Sequence, residues 1–244
     1  MIDICESLRR TIYRWVCTNV ALTEDAAFGS TTLKAWKYAT SVIRVSKELM
    51  QDSAINVQQI VVDALAERMA RGTNAGFTTG NGTTAPEGVV TGSGAGVTSA
   101  SETAITASEL VDLEHSLDVA YRANAKFMMH DSVLKKIKQL VLSTSSNTPI
   151  WNPGIMQNGM ASTILGYEYV INNDMASSLV ADAKVILFGD FSYYIVRDVA
   201  DFSVLSLNER YAEYLQTGFI GFGRFDGRYI TSDDCVKRLT MVNT

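Results

Sequence analysis

At Ser46 the spacing of apolar residues changes from that of a strand to that of a helix, so the fold has to combine both element types. Downstream, Val57, Ile60, Val61, Ala64, Leu65 and Met69 recur at helical spacing, with Gln58, Asp63, Glu67 and Arg71 on the polar face. Ser46 is the expected N-cap and Glu48 lies in the first turn. Gly72 marks one possible end, unless the helix continues toward Phe77 at some cost in propensity. Upstream, Phe28–Val45 is rich in β-branched and aromatic residues and alternates Leu33 and Ala35 against Lys34, Trp36 and Tyr38, which reads as one long strand. The preceding ALTEDAA holds no partner for it, and Met1–Val20 reads better as helix. The partner strand is therefore expected to be missing or to lie on another subunit.

Beyond the long helix, the Gly/Ser/Thr-dense passage from Gly76 to Ala104 predicts turns and a flexible loop, and a subdomain boundary. Thr106 and Glu109 have capping-box spacing ahead of Leu110, Leu113 and Leu117, predicting a helix from about Ala107 to Ala123. FMMH reads as a short buried strand. Asp131 or Ser132 then caps a third helix with Val133, Leu134, Ile137, Leu140 and Val141 inward and Lys135, Lys136 and Lys138 in solvent. After a loop from Ser143 to Gly159, the runs ILGYEYVI, KVILFGD, SYYIVRDV and FSVLSL read as four strands. Asp226-Gly227 between two strand-like runs predicts a hairpin turn, and DDCVKRLTMV a short helix and a last strand.

Composition narrows the class of function. A chain of 244 residues that is 47% hydrophobic and 19% charged can bury a substantial core, and its mean hydropathy of +0.07 is high enough to imply surface covered by other molecules. A net charge of −5 argues against a protein whose main task is to grip phosphates. No window approaches the roughly 18 apolar residues of a membrane span, and MIDICESLRRTIYRW is no signal peptide, so a cytoplasmic protein is expected. Cys5, Cys17 and Cys235 are scattered and odd in number, which fits reduced thiols.

No constellation points to catalysis, a cofactor or a metal. Gly80-Asn81-Gly82 lacks the Lys-Ser/Thr of a P-loop and the strand-first context of a dinucleotide site. His115 and His130 pair with no cysteine or serine in a recognisable motif. Surface turns and helix caps account for Asp233, Asp234 and Asp174 beside Asn173. Phe191, Tyr193, Tyr194, Tyr211 and Tyr214 lack the interleaved basic residues of a base-stacking surface and read as core or subunit interface.

The ordered set VSKELMQDSAI, FTTGNGTTAPEGVV, ILGYEYVINNDM, VILFGDFSYYIV and FGRFDGRYITSDDCVKRL closely resembles the major capsid protein of tailed double-stranded DNA phages, the Hong Kong ninety-seven fold, over roughly Ala26 to Met241. The resemblance implies an α+β chain with a peripheral domain (a long spine helix and a long antiparallel sheet), a mixed axial domain and a partial E-loop, the hairpin that reaches over a neighbouring subunit. On this mapping residues 1–25 are a divergent segment, 26–45 the E-loop's returning part, 46–85 the spine helix and glycine loop, 86–200 the axial domain and 201–244 a return to the peripheral sheet. Candidate assembly-interface residues are Phe28, Leu33, Lys34, Trp36, Tyr38, Arg44, Gly80, Gly82, Pro86, Arg224 and Asp226.

The function implied is that of a structural, non-enzymatic shell subunit. It would build hexamers and pentamers of an icosahedral capsid around DNA held non-specifically, and would reside in the host cytoplasm before assembly. Scaffolding, protease and portal proteins are the further partners, with no cofactor and no membrane. The family's arm and outgoing E-loop strand have no counterpart in Met1–Val20, so a shortened, prophage-derived and assembly-defective product is expected. Ser30, Thr31 and Thr32, and the absence of asparagine from Tyr211 to Leu215, argue against the self-catalysed cross-link of some members, although Lys34 and Lys37 lie nearby. An encapsulin-like compartment subunit is the alternative, and a small-molecule enzyme a more remote one.

Overall fold

The computed structural model describes residues 33–143, 148–149, 151–152, 163–230 and 235–243. It opens with two short strands, β1 (Trp36–Ala39) and β2 (Ile43–Ser46), followed by helices α1 (Lys47–Asp52) and α2 (Val57–Thr79). Then come β3 (Gly94–Thr98), α3 (Ala107–Ser116), α4 (Val119–Arg122), β4 (Lys126–Met129) and α5 (Asp131–Lys138). Short strands β5 (Val141–Ser143), β6 (Thr148–Pro149), β7 (Trp151–Asn152) and β8 (Thr163–Ile164) precede β9 (Tyr167–Ile171) and β10 (Lys184–Gly189). Two 14-residue strands, β11 (Tyr194–Leu207) and β12 (Gln216–Tyr229), and a last strand β13 (Val236–Thr240) complete it.

The long strand expected over Phe28–Val45 is corrected in two ways. It is broken at Thr40–Val42, and its partner is in the same chain: β1 and β2 both run antiparallel to β12. The break remains tied to that strand, because the Thr40 N–H donates to the Gly221 carbonyl (2.8 Å) and its hydroxyl accepts from the Gly221 N–H (2.9 Å). The partner was missed because it lies about 180 residues away in sequence.

The helix expected from Ser46 is also two helices. Ser46 does cap α1, accepting from Leu49 N–H, but Ser53 accepts from Ile55 N–H and Asn56 from Gln59 N–H, so side chains satisfy the backbone of a break and then restart the helix. α2 runs past Gly72 to Thr79, and the phenol of Tyr38 fills the space where a side chain at position 76 would stand, 2.2 Å from the ideal Cβ. Val61 and Leu65 of α2 are buried with Val45 and Phe219 against the long sheet.

In that sheet β12 is central, flanked by β11 on one side and by β1 and β2 on the other. Two corrections concern it. The runs SYYIVRDV and FSVLSL are one strand, kept continuous through bulges between Asp198 and Ser203. Asp226-Gly227 is not a hairpin turn but lies in mid-strand opposite Arg197 and Val196, and the turn is at residues 208–215. Gly227 is required there because its ideal Cβ would meet the Tyr194 hydroxyl at 2.2 Å. A dipeptide typical of turns was selected here for close packing.

The second sheet has seven strands in the order β3-β13-β10-β4-β9-β8-β7, parallel between β3 and β13 and between β4 and β9. β13 thus joins this sheet, where residues 201–244 were expected to return together to the long one. The glycine-dense passage is likewise less of a loop than expected, since it supplies β3 and buries Val89, Val90, Ser93 and Ser99.

On one face of the seven-stranded sheet lie α3 and α5, around a core of Leu110, Leu113, Phe127, Leu134, Ile137, Ile186 and Phe188. The Thr106/Glu109 capping box forms, but α3 stops at Leu117 and Asp118 caps the separate α4. His130, not Asp131 or Ser132, caps α5, its Nδ1 accepting from Ser132 N–H at 3.0 Å. ILGYEYVI folds as a two-strand hairpin, β8 and β9, because Leu165 (φ 51°) and Gly166 (φ 86°) form a type I′ turn. The expected loop from Ser143 contains strand pairs as well, β5 with β6 and β7 with β8. On the other face, Leu187 and Val236 share a cluster with Val89, Val90, Met175, Tyr229 and Cys235.

Candidate functional site

The C-terminus of α2 leaves carbonyl groups that its own turns cannot satisfy. The chain meets this by folding back: Val89 N–H donates to Phe77 O (2.7 Å), Val90 N–H to Thr78 O (3.0 Å) and Gly88 N–H to Gly80 O (2.9 Å). Between these, Asn81 Oδ1 accepts from the N–H groups of Thr83, Thr84 and Ala85, and Gly82, at φ +71°, donates to Pro86 O (3.2 Å). Gly80, Gly82 and the buried Pro86 therefore form a helix-end cap. These amides are already bonded within the loop, which leaves them no part in a phosphate cradle.

Glu87 fastens this cap to the long sheet. Its N–H donates to Gly227 O (3.0 Å), its carbonyl accepts from the Tyr194 hydroxyl (2.7 Å), and its carboxylate pairs with Arg228 at 2.8 Å. Sequence reasoning passed over Glu87, because nothing local distinguishes its carboxylate from a solvated one. Tyr229 closes the same corner, its hydroxyl donating to Val89 O (3.4 Å) and its ring lying edge-on to Tyr194 at 5.1 Å. Burial holds the phenols of Tyr194 and Tyr229 well above the usual tyrosine range, with Asp226 and Glu87 adding to the effect at Tyr194, and Cys235, Tyr194 and Glu87 at Tyr229.

Asp226 is buried and accepts from the backbone N–H groups of Lys34 and Gly227. Tyr38 packs beside it against Phe225, with ring centroids 6.1 Å apart, and its phenol too is raised, by burial first and Asp226 second. Lys34 Nζ lies 5.2 Å from the Trp36 ring, and Lys37 stands opposite Arg224 in register, both exposed. Of the eleven residues singled out, the structure thus gathers Trp36 and Tyr38 on β1, Arg224 and Asp226 on β12 and Lys34 just before β1, with Gly80, Gly82 and Pro86 joined to them through Glu87. Arg44 stands apart, opposite Gly218 at the far end of β12, its guanidinium 5.7 Å from the Tyr211 ring. Leu33 is half-buried at the edge of the described region, and Phe28 lies outside the described residues.

The remaining polar residues hold local structure. His115 is exposed and offers its carbonyl to Arg122 (3.1 Å), while Asp174 and Asn172 bond Asn74 of α2. Tyr193 meets Tyr121 edge-on at 5.3 Å. Cys235 is buried, while Cys5, Cys17, Asp233 and Asp234 lie outside the described residues. Among the described residues no cluster of His, Cys, Asp or Glu is arranged to hold a metal ion, and no helix is long and apolar enough to cross a membrane.

This arrangement has known counterparts. The solved capsid of an empty GTA particle is similar at 23% identity and a TM-score of 0.73, over 92% of this chain and 81% of that one. The capsid of the native GTA particle gives 22% and 0.74 over the same shares. A structure from Mycobacterium phage Adephagia matches at 14% identity and a TM-score of 0.64, over 95% of this chain and 81% of its own. No curated protein matches. The model of the phage capsid family matches residues 10–240, nearly the whole length. The chain belongs to the phage capsid family and is a structural major capsid protein.

Proposed function

We propose that the protein is the repeating subunit of an icosahedral phage shell, associating with copies of itself into hexamers and pentamers that close around DNA. The observation that carries this reading is the family match over residues 10–240. It is supported by the amount of apolar surface a single copy leaves in water, with Leu49, Ile55, Ile60, Val119, Val180, Leu205, Tyr214 and Leu215 all exposed. Shell closure from one sequence requires contacts that tolerate small rotations between copies, a geometric rather than a chemical task.

Within such a shell α2 would be the spine helix, the long sheet its peripheral companion, and the seven-stranded sheet with α3 and α5 the axial domain. In this reading the last boundary falls between Tyr229 and Val236, which the pairing of β13 with β10 supports. Residues 33–46 would be the base of the E-loop. Of the candidate interface residues, Lys34, Arg44 and Arg224 are exposed and fit intersubunit contacts, whereas Pro86 and Asp226 are buried and act inside the subunit. With a net charge of −5 the wall would hold DNA only non-specifically. Scaffolding, protease and portal proteins would be its assembly partners, in the bacterial cytoplasm before the virion forms.

The test is light scattering after size exclusion, with negative-stain microscopy of the same fractions across a concentration series. Rings or shells are expected. A monomer at every concentration and salt condition would overturn the reading.

A further inference from the structure

Among the described residues Asn81 is the one asparagine followed by a glycine, and that pair carries a reaction of its own. The glycine nitrogen, with no Cβ beside it, is able to attack the asparagine Cγ. A C–N bond then closes a five-membered succinimide, and the side-chain nitrogen leaves as ammonia, taking up the proton that the backbone amide gives away. Water opens the ring at either carbonyl, which yields aspartate or isoaspartate. Asn81 is exposed, so water reaches it.

The helix-end cap opposes the first step in two ways. The attacking nitrogen has to lose its proton, yet the Gly82 N–H is donated to Pro86 O at 3.2 Å, and a bond made by the neutral form makes deprotonation harder. Cγ also has to turn onto that nitrogen. Its Oδ1 is held by the N–H groups of Thr83 (3.1 Å), Thr84 (3.0 Å) and Ala85 (3.3 Å), and its Nδ2 donates to Thr84 Oγ1 at 2.9 Å, so turning it breaks these bonds. The loop is closed by Gly88 N–H on Gly80 O and by the bridge that pairs Asn81 with Glu87, which makes opening of the site and fraying of the end of α2 one local event.

We propose that Asn81-Gly82 is a self-modification site gated by the helix-end cap. It is closed to succinimide formation while α2 is capped, and is converted to aspartate or isoaspartate in subunits whose cap has opened. The product does not restore the cap. Isoaspartate inserts a methylene into the main chain and displaces the Gly82 N–H from Pro86 O, and either product places a carboxylate next to Gly80, the C-cap of α2, where the helix dipole disfavours negative charge. The modification thus records, irreversibly, that a subunit has lost the cap that Glu87 fastens to the long sheet. The inference rests on the fold of one subunit and stands apart from the shell reading.

The test follows the full chain by peptide mass spectrometry during incubation in mildly alkaline buffer, with the dissociated subunit taken from size exclusion. In guanidinium chloride Asn81 should convert as fast as Asn158, which also precedes a glycine and lies outside the described residues. Without denaturant, conversion at Asn81 should be about tenfold slower or more, because only the open fraction reacts. Gly88→Ala, whose Cβ would press on Gly80 N and Thr78 O, should speed conversion at Asn81 while circular dichroism remains that of the folded parent chain. If Gly88→Ala does not fold, Thr84→Val takes its place: it removes the Oγ1 partner of Nδ2 at an exposed position and should shift the rate in the same direction. Equal rates in the folded and denatured chain, protection found only in assembled particles, or an unchanged rate in the folded variant would overturn the gate. Aspartate without isoaspartate would overturn the route through the Gly82 nitrogen, because ring opening yields both.

Discussion

Gly72 and Gly88 lie on either side of the end of α2, and their surroundings give opposite expectations for the same substitution. Around an ideal Cβ at Gly72 nothing lies within 4 Å, so Gly72→Ala should stabilise the subunit by about 0.5–1 kcal/mol through helix propensity alone. At Gly88 the Cβ would stand 2.5 Å from both Gly80 N and Thr78 O, backbone atoms of the helix end that the loop caps. Gly88→Ala should cost about 1–3 kcal/mol, because backbone has to move and the bond from Gly88 N–H to Gly80 O weakens with it. Urea midpoints of the two variants should fall on opposite sides of the parent chain, and a shift of like sign in both would contradict this account. The buried tyrosines give a pH dependence of definite sign. Tyr194 and Tyr229 have their phenols raised in the folded state, so below about pH 10 both states keep the proton and stability does not change on their account. Above that pH the unfolded chain ionises first, and stability falls. Tyr229→Phe should make the alkaline fall of the urea midpoint shallower, and an unchanged slope would show that Tyr229 is not one of the groups responsible.

At the scale of elements, what could be read from the sequence was whatever short-range chemistry determines. The Thr106/Glu109 capping box, the Ser46 cap and the helical stripe of Val61, Leu65 and Met69 are all present as expected, because each depends on residues within a few turns. Errors arose where a distant partner decided the outcome. Asp226-Gly227 has the chemistry of a turn, yet Tyr194 and Glu87 from other parts of the chain hold it flat in a strand. His130 displaced Asp131 and Ser132 as the cap of α5 because an unprotonated imidazole nitrogen can accept an N–H bond as a carboxylate does. The candidate surface divided along the same line. Lys34, Arg44 and Arg224 stay exposed, but the glycine loop and Asp226 were absorbed into the subunit by backbone hydrogen bonds that no spacing reveals.

For the whole molecule, the question is whether two sheets with separate cores unfold separately. Val45, Val61, Leu65 and Phe219 form one core under the long sheet, and the cluster around Phe127 and Phe188 forms another under α3 and α5. A third cluster joins them. Tyr229 at the end of β12 is buried with Leu187 of β10, Val236 of β13 and Val89 and Val90 of the helix-end cap, so the long sheet ends inside the other sheet's second face. Loss of either sheet would expose this shared cluster, which penalises any half-folded state by the apolar area uncovered. The dissociated subunit should therefore unfold in one transition, with calorimetric and van't Hoff enthalpies equal and with backbone and aromatic circular dichroism coincident. Tyr229→Ala removes the central side chain of that cluster while leaving the other two cores intact. It should separate the two probes, and if the parent chain already shows two transitions the cluster does not couple the sheets.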